Sequence, residues 1–269
     1  MKKTFAVAAL SGLIATVAYA GALPRTGVLN SPHDMNVVTG LSVPADNQGR
    51  ACAFCHTPHH AVDLKGQYNP LWSHEPTGLV GAQPYSSPTF DAESNGALID
   101  PLIGPSRLCM SCHDGAIAPD QHYGSANVAP TGRFASDEFP PYPAAGPKNI
   151  AVGLGDNFSN DHPIGFDINK SLTGTTVDSG IFATVPTTKT WLKSGSPGSK
   201  LISAGLYKTS PAASEQYMTC ATCHDVHNRD NVANTAANGV PGHTDSQNQN
   251  YFVFAPQSGS QLCLSCHDK

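Results

Sequence analysis

Apolar and small residues fill one block, at positions 5–17, and apolar residues are scattered thinly through the rest of the chain. No later run approaches the roughly eighteen apolar residues that a membrane-spanning helix requires. Two strand-like runs stand out, 181–185 and 251–254, and both are so brief that a single two-stranded piece is the most β-structure expected. Helical signals are short as well. They fall at 106–113, 214–224 and 258–267, with Ser106, Ser214 and Ser258 as the expected N-caps. Elsewhere turn formers break the pattern, with Pro84, Pro88, Pro101 and Pro105 in one stretch and Pro140, Pro141, Pro143, Gly146 and Pro147 in another. The expected fold is mostly coil, with a few short α-helices and minimal β-structure.

The early apolar block changes the picture of compartment rather than of fold. Lys2 and Lys3 precede it and Ala18-Tyr19-Ala20 follows it, which is the pattern of a cleaved export signal over residues 1–20. The remaining 21–269 is expected to be a single domain outside the cytoplasm, extracellular or on the cell surface, with the periplasm as the alternative. Removing Lys2 and Lys3 leaves 13 basic against 20 acidic side chains, a formal charge of −7 that speaks against nucleic-acid binding. Leu, Ile, Val and Phe together supply only 47 of the residues in 21–269. So small a share is usually associated with disorder, and something besides side chains must fill the interior.

The cysteines name that filling. All eight lie in four copies of one string, Cys-x-x-Cys-His: Cys52, Cys55 and His56; Cys109, Cys112 and His113; Cys220, Cys223 and His224; Cys263, Cys266 and His267. Cysteines three apart share one helical turn, so both sulfurs reach the two vinyl groups along one porphyrin edge, while the next imidazole meets the iron. Four disulfides or two four-thiolate zinc sites are the competing uses of eight cysteines in an exported chain, but neither requires His after the second Cys. With 12 His in 269 residues, four such placements arise by chance about once in a few hundred thousand. The reading is four covalently attached haem c groups. They would form much of the core, so the chain is expected not to fold without them.

Each iron then needs a second axial ligand. Methionine would raise the potential, but Met110 lies inside one motif and Met218 two residues before another, which leaves Met35 alone. Eight further histidines exceed the need, so bis-His ligation and low potentials follow. His59 and His227 each stand three residues after a motif histidine, too close to reach back to the same iron. They point to a neighbouring haem and staple two haems into a pair. His60, beside His59, is the alternative in that string. His33 and His162 sit in Pro-flanked, small-residue settings suited to aiming one imidazole, whereas His74, His122 and His243 are expected to be exposed or packed beside a porphyrin. Arg50 and Arg107, two residues before a motif, either pair with propionates or are solvated. Tyr68, Trp72, Tyr85 and Trp191 either cover porphyrin edges or simply pack.

Six strings together resemble a known family: Asn30-Ser-Pro-His33-Asp-Met, Cys52-Ala-Phe-Cys-His-Thr-Pro-His59, Cys109-Met-Ser-Cys-His-Asp-Gly115, Asp161-His-Pro-Ile-Gly-Phe166, Cys220-Ala-Thr-Cys-His-Asp-Val-His227 and Cys263-Leu-Ser-Cys-His267. The chain resembles the bacterial multihaem cytochromes with paired Cys-x-x-Cys-His motifs, most closely the OmcE-type tetrahaem cytochromes that polymerise into extracellular conducting filaments. The resemblance implies electron transfer along haems in alternating close pairs, a homopolymer joined end to end, and exchange with other redox proteins or extracellular acceptors. It also implies that one haem takes its distal His from the adjacent subunit, with His33 as one candidate donor and His59 or another as alternatives. A monomeric shuttle is a second reading. A multihaem reductase is a third, but it needs an iron with an open side, and here no motif is altered and histidine is in surplus.

Overall fold

The computed structural model describes residues 28–29, 33–34, 36, 48–59, 61, 63, 68–74, 82–113, 152–153, 157–173, 180–193, 196–227, 252–255 and 258–268. Among them, helices are short and irregular chain predominates, as the turn-rich sequence leads one to expect. The longest helix, α2 (Pro105–His113), follows a one-turn α1 (Asp91–Ser94). Proline at the first helical position gives up a donor that would be unsatisfied there anyway, so α2 starts one residue before the expected Ser106. Ser106 is instead fully buried, and its hydroxyl accepts a hydrogen bond from the Cys220 N–H at 3.1 Å.

Helix α3 (Asn169–Leu172) is tied to the end of α1 where the Asn95 amide donates to the Lys170 carbonyl at 2.7 Å. Of the expected helix at 214–224 only α4 (Cys220–Cys223) forms. Its N-cap is Thr219 rather than Ser214: the Thr222 hydroxyl accepts from the Thr219 N–H at 2.9 Å and donates to the Gly205 carbonyl at 3.1 Å. The third expected helix is split. A 3-10 turn at Ser258–Ser260 kinks through left-handed backbone at Ser260 (φ 56°) into α5 (Gln261–Leu264).

One two-stranded sheet is present, though not where the apolar runs indicated. It is a hairpin of β1 (Thr190–Lys193) and β2 (Ser196–Leu201), antiparallel, with Leu192 opposite Pro197 and an irregularity between Thr190 and Leu192. The runs at 181–185 and 251–254 contribute isolated bridges instead, Ile181 to His267 and Val253 to His224. Tyr251 lies outside the described residues. Each run pairs with a cysteine motif and therefore cannot extend into a ladder with the other.

Apolar packing gathers around Phe90, Phe166, Ile168, Trp191, Ile202 and Met218, with the Phe90 and Phe166 rings edge to face at 4.9 Å. Cys223 and Cys266 pack against this cluster, while Leu102, Met110 and Phe158 form a smaller one. Met110 and Met218 are thus core residues. Among the described residues no helix is long and apolar enough to cross a membrane. The expected export signal at 1–20, Met35, His60, His122, His243 and the prolines at 140–147 lie outside the described residues.

Candidate functional site: four cysteine motifs and opposed imidazoles

Each Cys-x-x-Cys-His string closes on itself before it meets anything else. The N–H of His56, His224 and His267 donates to the carbonyl of its motif's first cysteine, Cys52, Cys220 or Cys263, at 2.9 to 3.0 Å, while His113 ends α2. These are single helical turns, so the two thiols of a motif share one side and the imidazole emerges at the end.

Three motifs are then clamped identically. The carbonyl before the histidine accepts one N–H from a distant segment and the N–H after it donates back to that segment. In the first motif Ser73 donates to Cys55 at 3.0 Å and Thr57 to Leu71 at 2.8 Å. In the third Phe254 donates to Cys223 at 3.2 Å and Asp225 to Phe252 at 2.9 Å. In the fourth Phe182 donates to Cys266 at 2.9 Å and Asp268 to Gly180 at 2.8 Å. The histidine is the middle residue of each clamp, opposite Trp72, Val253 or Ile181. In the second motif a single bond does this work, from Val152 N–H to the His113 carbonyl at 2.8 Å. Leu71 and Phe252 occupy the same clamp position and both adopt left-handed backbone, at φ 60° and 61°. Such conformations are costly away from glycine and concentrate where geometry matters.

The clamped histidines face histidines from elsewhere in the chain. His56 and His227 have ring centroids 6.1 Å apart, His113 and His33 are 6.0 Å apart, and His267 and His162 are 6.4 Å apart. Two imidazoles on opposite sides of one metal, each bonded at about 2 Å, place their ring centres about 6.3 Å apart. Three of the four distal candidates from the sequence, His33, His162 and His227, are therefore brought to motif histidines. The fourth, His59, is exposed, and among the described residues no ring is packed on it.

Hydrogen bonding leaves the outer nitrogen of these rings available. His56 Nδ1 lies 2.7 Å from the Pro70 carbonyl and His162 Nδ1 lies 3.0 Å from the Pro163 carbonyl. A carbonyl only accepts, so Nδ1 carries the proton in both and Nε2 keeps its lone pair. Burial, reinforced by His113, His224 and His227, pushes His33 down to about 3, so its ring is neutral and able to ligate. Burial also lowers His162, opposed in part by its bond to Pro163.

The thiols are all free. Burial pushes Cys55 up to about 11, Cys223 up to about 12 and Cys266 up to about 11. Cys109 and Cys220 share a thiol–thiol hydrogen bond that raises the first and lowers the second to about 7, which brings the second and third motifs together.

The donor set fits haem c. Among the described residues no group of three or more His, Cys, Asp or Glu side chains is placed to hold a metal ion. Pairs of opposed imidazoles suit a metal that brings its own four in-plane nitrogens, with free thiols beside each pair for the covalent links. Trp191 Nε1 is buried without a hydrogen-bond partner, in the cluster on which Cys223 and Cys266 pack, so a donor there awaits an acceptor.

Other expectations resolve one by one. His74 is buried, 5.9 Å from the Trp72 ring, rather than exposed. Trp72 has a structural role: its indole N–H donates to Ser111 in α2 at 3.2 Å. Arg50 is exposed and Arg107 half-buried. Sequence reasoning passed over Asp225, whose carboxylate lies 3.7 Å from His227 Nδ1. Its signal was present, since Asp follows the histidine in three of the four motifs.

No protein-family model and no curated protein matches this chain.

Proposed function

We propose that this protein transfers electrons through four covalently attached c-type haems with bis-His ligation, and that it does so as a subunit of an extracellular filament. Cys52 and Cys55, Cys109 and Cys112, Cys220 and Cys223, and Cys263 and Cys266 would hold the haems. The histidines that would hold the irons are His56 with His227, His113 with His33 and His267 with His162, leaving His224, for which His59 is the candidate from the sequence and His60 the alternative in that string. The observation that carries the reading is the 6.0 to 6.4 Å spacing of three imidazole pairs, each joining a motif histidine to one distant in sequence.

Bound haem would supply one-electron chemistry at low potential. The protein's part would be to hold the motif histidines in backbone clamps, with His56 and His162 also held at Nδ1 by the Pro70 and Pro163 carbonyls, which would limit reorganisation when charge moves. The closeness of Cys109 to Cys220 would bring two haem edges together, and that of Cys223 to Cys266 would do the same for the next. Because His33 lies against His113 of its own chain, the exposed His59 is the better candidate for a ligand shared between subunits.

Protein secreted from a host that attaches c-type haem is the material for the test. Mass spectrometry is expected to find four haem additions, absorbance to be fully low-spin, and the ferrous form to bind no carbon monoxide. Negative-stain microscopy is expected to find polymers. Single particles with the same spectra would favour the shuttle, and a haem that binds carbon monoxide would favour a reductase.

A further inference from the structure

Among the described residues, the Nδ1 atoms of His56, His162 and His227 each have a defined neighbour, and that of His227 is charged. His56 and His162 meet neutral carbonyls, of Pro70 and Pro163. His227 meets the carboxylate of Asp225. The contact is built rather than incidental: Asp225 Oδ1 accepts the His227 backbone N–H at 2.9 Å and lies 3.7 Å from Nδ1 of the same residue. Asp225 is itself fixed, because its N–H donates to Phe252 in the third clamp. Its second oxygen, Oδ2, lies 3.6 Å from Lys200 Nζ, and that ammonium also sits 3.5 Å from the centre of the Phe254 ring. Phe254 is the other strand of the same clamp, donating to Cys223. Asp268 follows His267 as Asp225 follows His224, yet it is exposed, and among the described residues only its backbone is engaged.

Resting on the haem reading above, we infer that Asp225 is a positioning residue that lowers the reduction potential of the haem held by His56 and His227, and that Lys200 limits how far. A negative charge 3.7 Å from Nδ1 stabilises the more positive, oxidised iron electrostatically through the ring. A cation on the far side of the carboxylate works in the opposite sense. His162, held by a neutral carbonyl, has no such device, so the haem it shares with His267 is expected to lie at a higher potential than the one held by His56 and His227.

Spectroelectrochemical titration of the secreted holoprotein tests this with Asp225→Asn and Lys200→Met. Asp225→Asn keeps an oxygen for the His227 N–H and removes the charge. One of the four potentials is expected to rise by about tenfold in reduction equilibrium, ~59 mV for one electron, with low-spin spectra retained. Lys200→Met is expected to lower that same potential. A residue that mattered only for packing would not give opposite signs for the two variants. If all four potentials stay fixed in both variants, or both move the same way, the inference is overturned while the haem reading stands. If Asp225→Asn fails to accumulate, Lys200→Met decides alone, by lowering one potential or leaving all unmoved. Wild-type protein without haem overturns the reading itself.

Discussion

His56 and His227 face one another with ring centroids 6.1 Å apart and planes 22° apart, although one closes the first cysteine motif and the other follows the third. His227 is only three residues beyond His224, yet the turn after that histidine carries it away from its own motif and onto another. The Cys-His-x-x-His spacing therefore ties two motifs together through one short piece of chain.

That relationship fixes what loss of His227 should do. Under the proposed four-haem reading, His227→Ala is expected to open one iron of four, so about a quarter of the haem becomes high-spin and binds carbon monoxide when reduced. His74→Ala, a buried ring outside the pairs, is expected to leave the low-spin spectrum intact. Carbon monoxide difference spectra of the two variants check both.

Gly165 carries the segment that presents His162. Its φ is +81°, its carbonyl accepts from Asp100 N–H at 2.9 Å and its N–H donates to the Met218 carbonyl at 2.6 Å. A Cβ there would be driven into the Asp100 backbone. Gly165→Ala is expected to destabilise by about 3 kcal/mol or more, since left-handed strain and a backbone clash add. Denaturant melts of the holoprotein measure it.

The two left-handed clamp residues should respond differently to glycine. Leu71 is half exposed, so Leu71→Gly relieves strain with little loss of burial and is expected to stay within about 1 kcal/mol of the wild type. Phe252 is buried with its ring 4.8 Å from His33. Phe252→Gly is expected to destabilise by about 3 kcal/mol despite the same relief, because a buried ring is lost. Paired urea melts give the contrast directly.

Ser106 joins α2 to α4. Ser106→Ala leaves the Cys220 N–H without its acceptor and is expected to destabilise by about 1–3 kcal/mol. Ser106→Thr keeps the oxygen but adds a methyl at a fully buried site, so it is expected to recover only part of that. Melts of the two variants separate lost hydrogen bonding from packing.

Much of this was legible in the primary structure and some was not. Cys-x-x-Cys-His spacing is local, so the single-turn motifs follow from it, and Pro and Gly density alone excludes long elements. The strands were misplaced because 181–185 and 251–254 carry strand-like residues whose hydrogen bonds go to His267 and His224 rather than to each other. Ser214 looked like a cap, but the cap is Thr219, whose advantage is the Thr222 hydroxyl three residues on. Asp225 was overlooked although its contact with His227 spans only two residues, because the Asp that follows a motif histidine acquires a role only where a second histidine stands two positions on.

By itself, then, the sequence determined the motifs, the surplus of histidine over methionine and the shortness of the elements among the described residues, since each depends on residue type within a few positions. Tertiary structure alone decided that His227 meets His56, His33 meets His113 and His162 meets His267. Those meetings depend on backbone hydrogen bonds between segments far apart in sequence and on left-handed turns at Leu71 and Phe252, which no local pattern encodes.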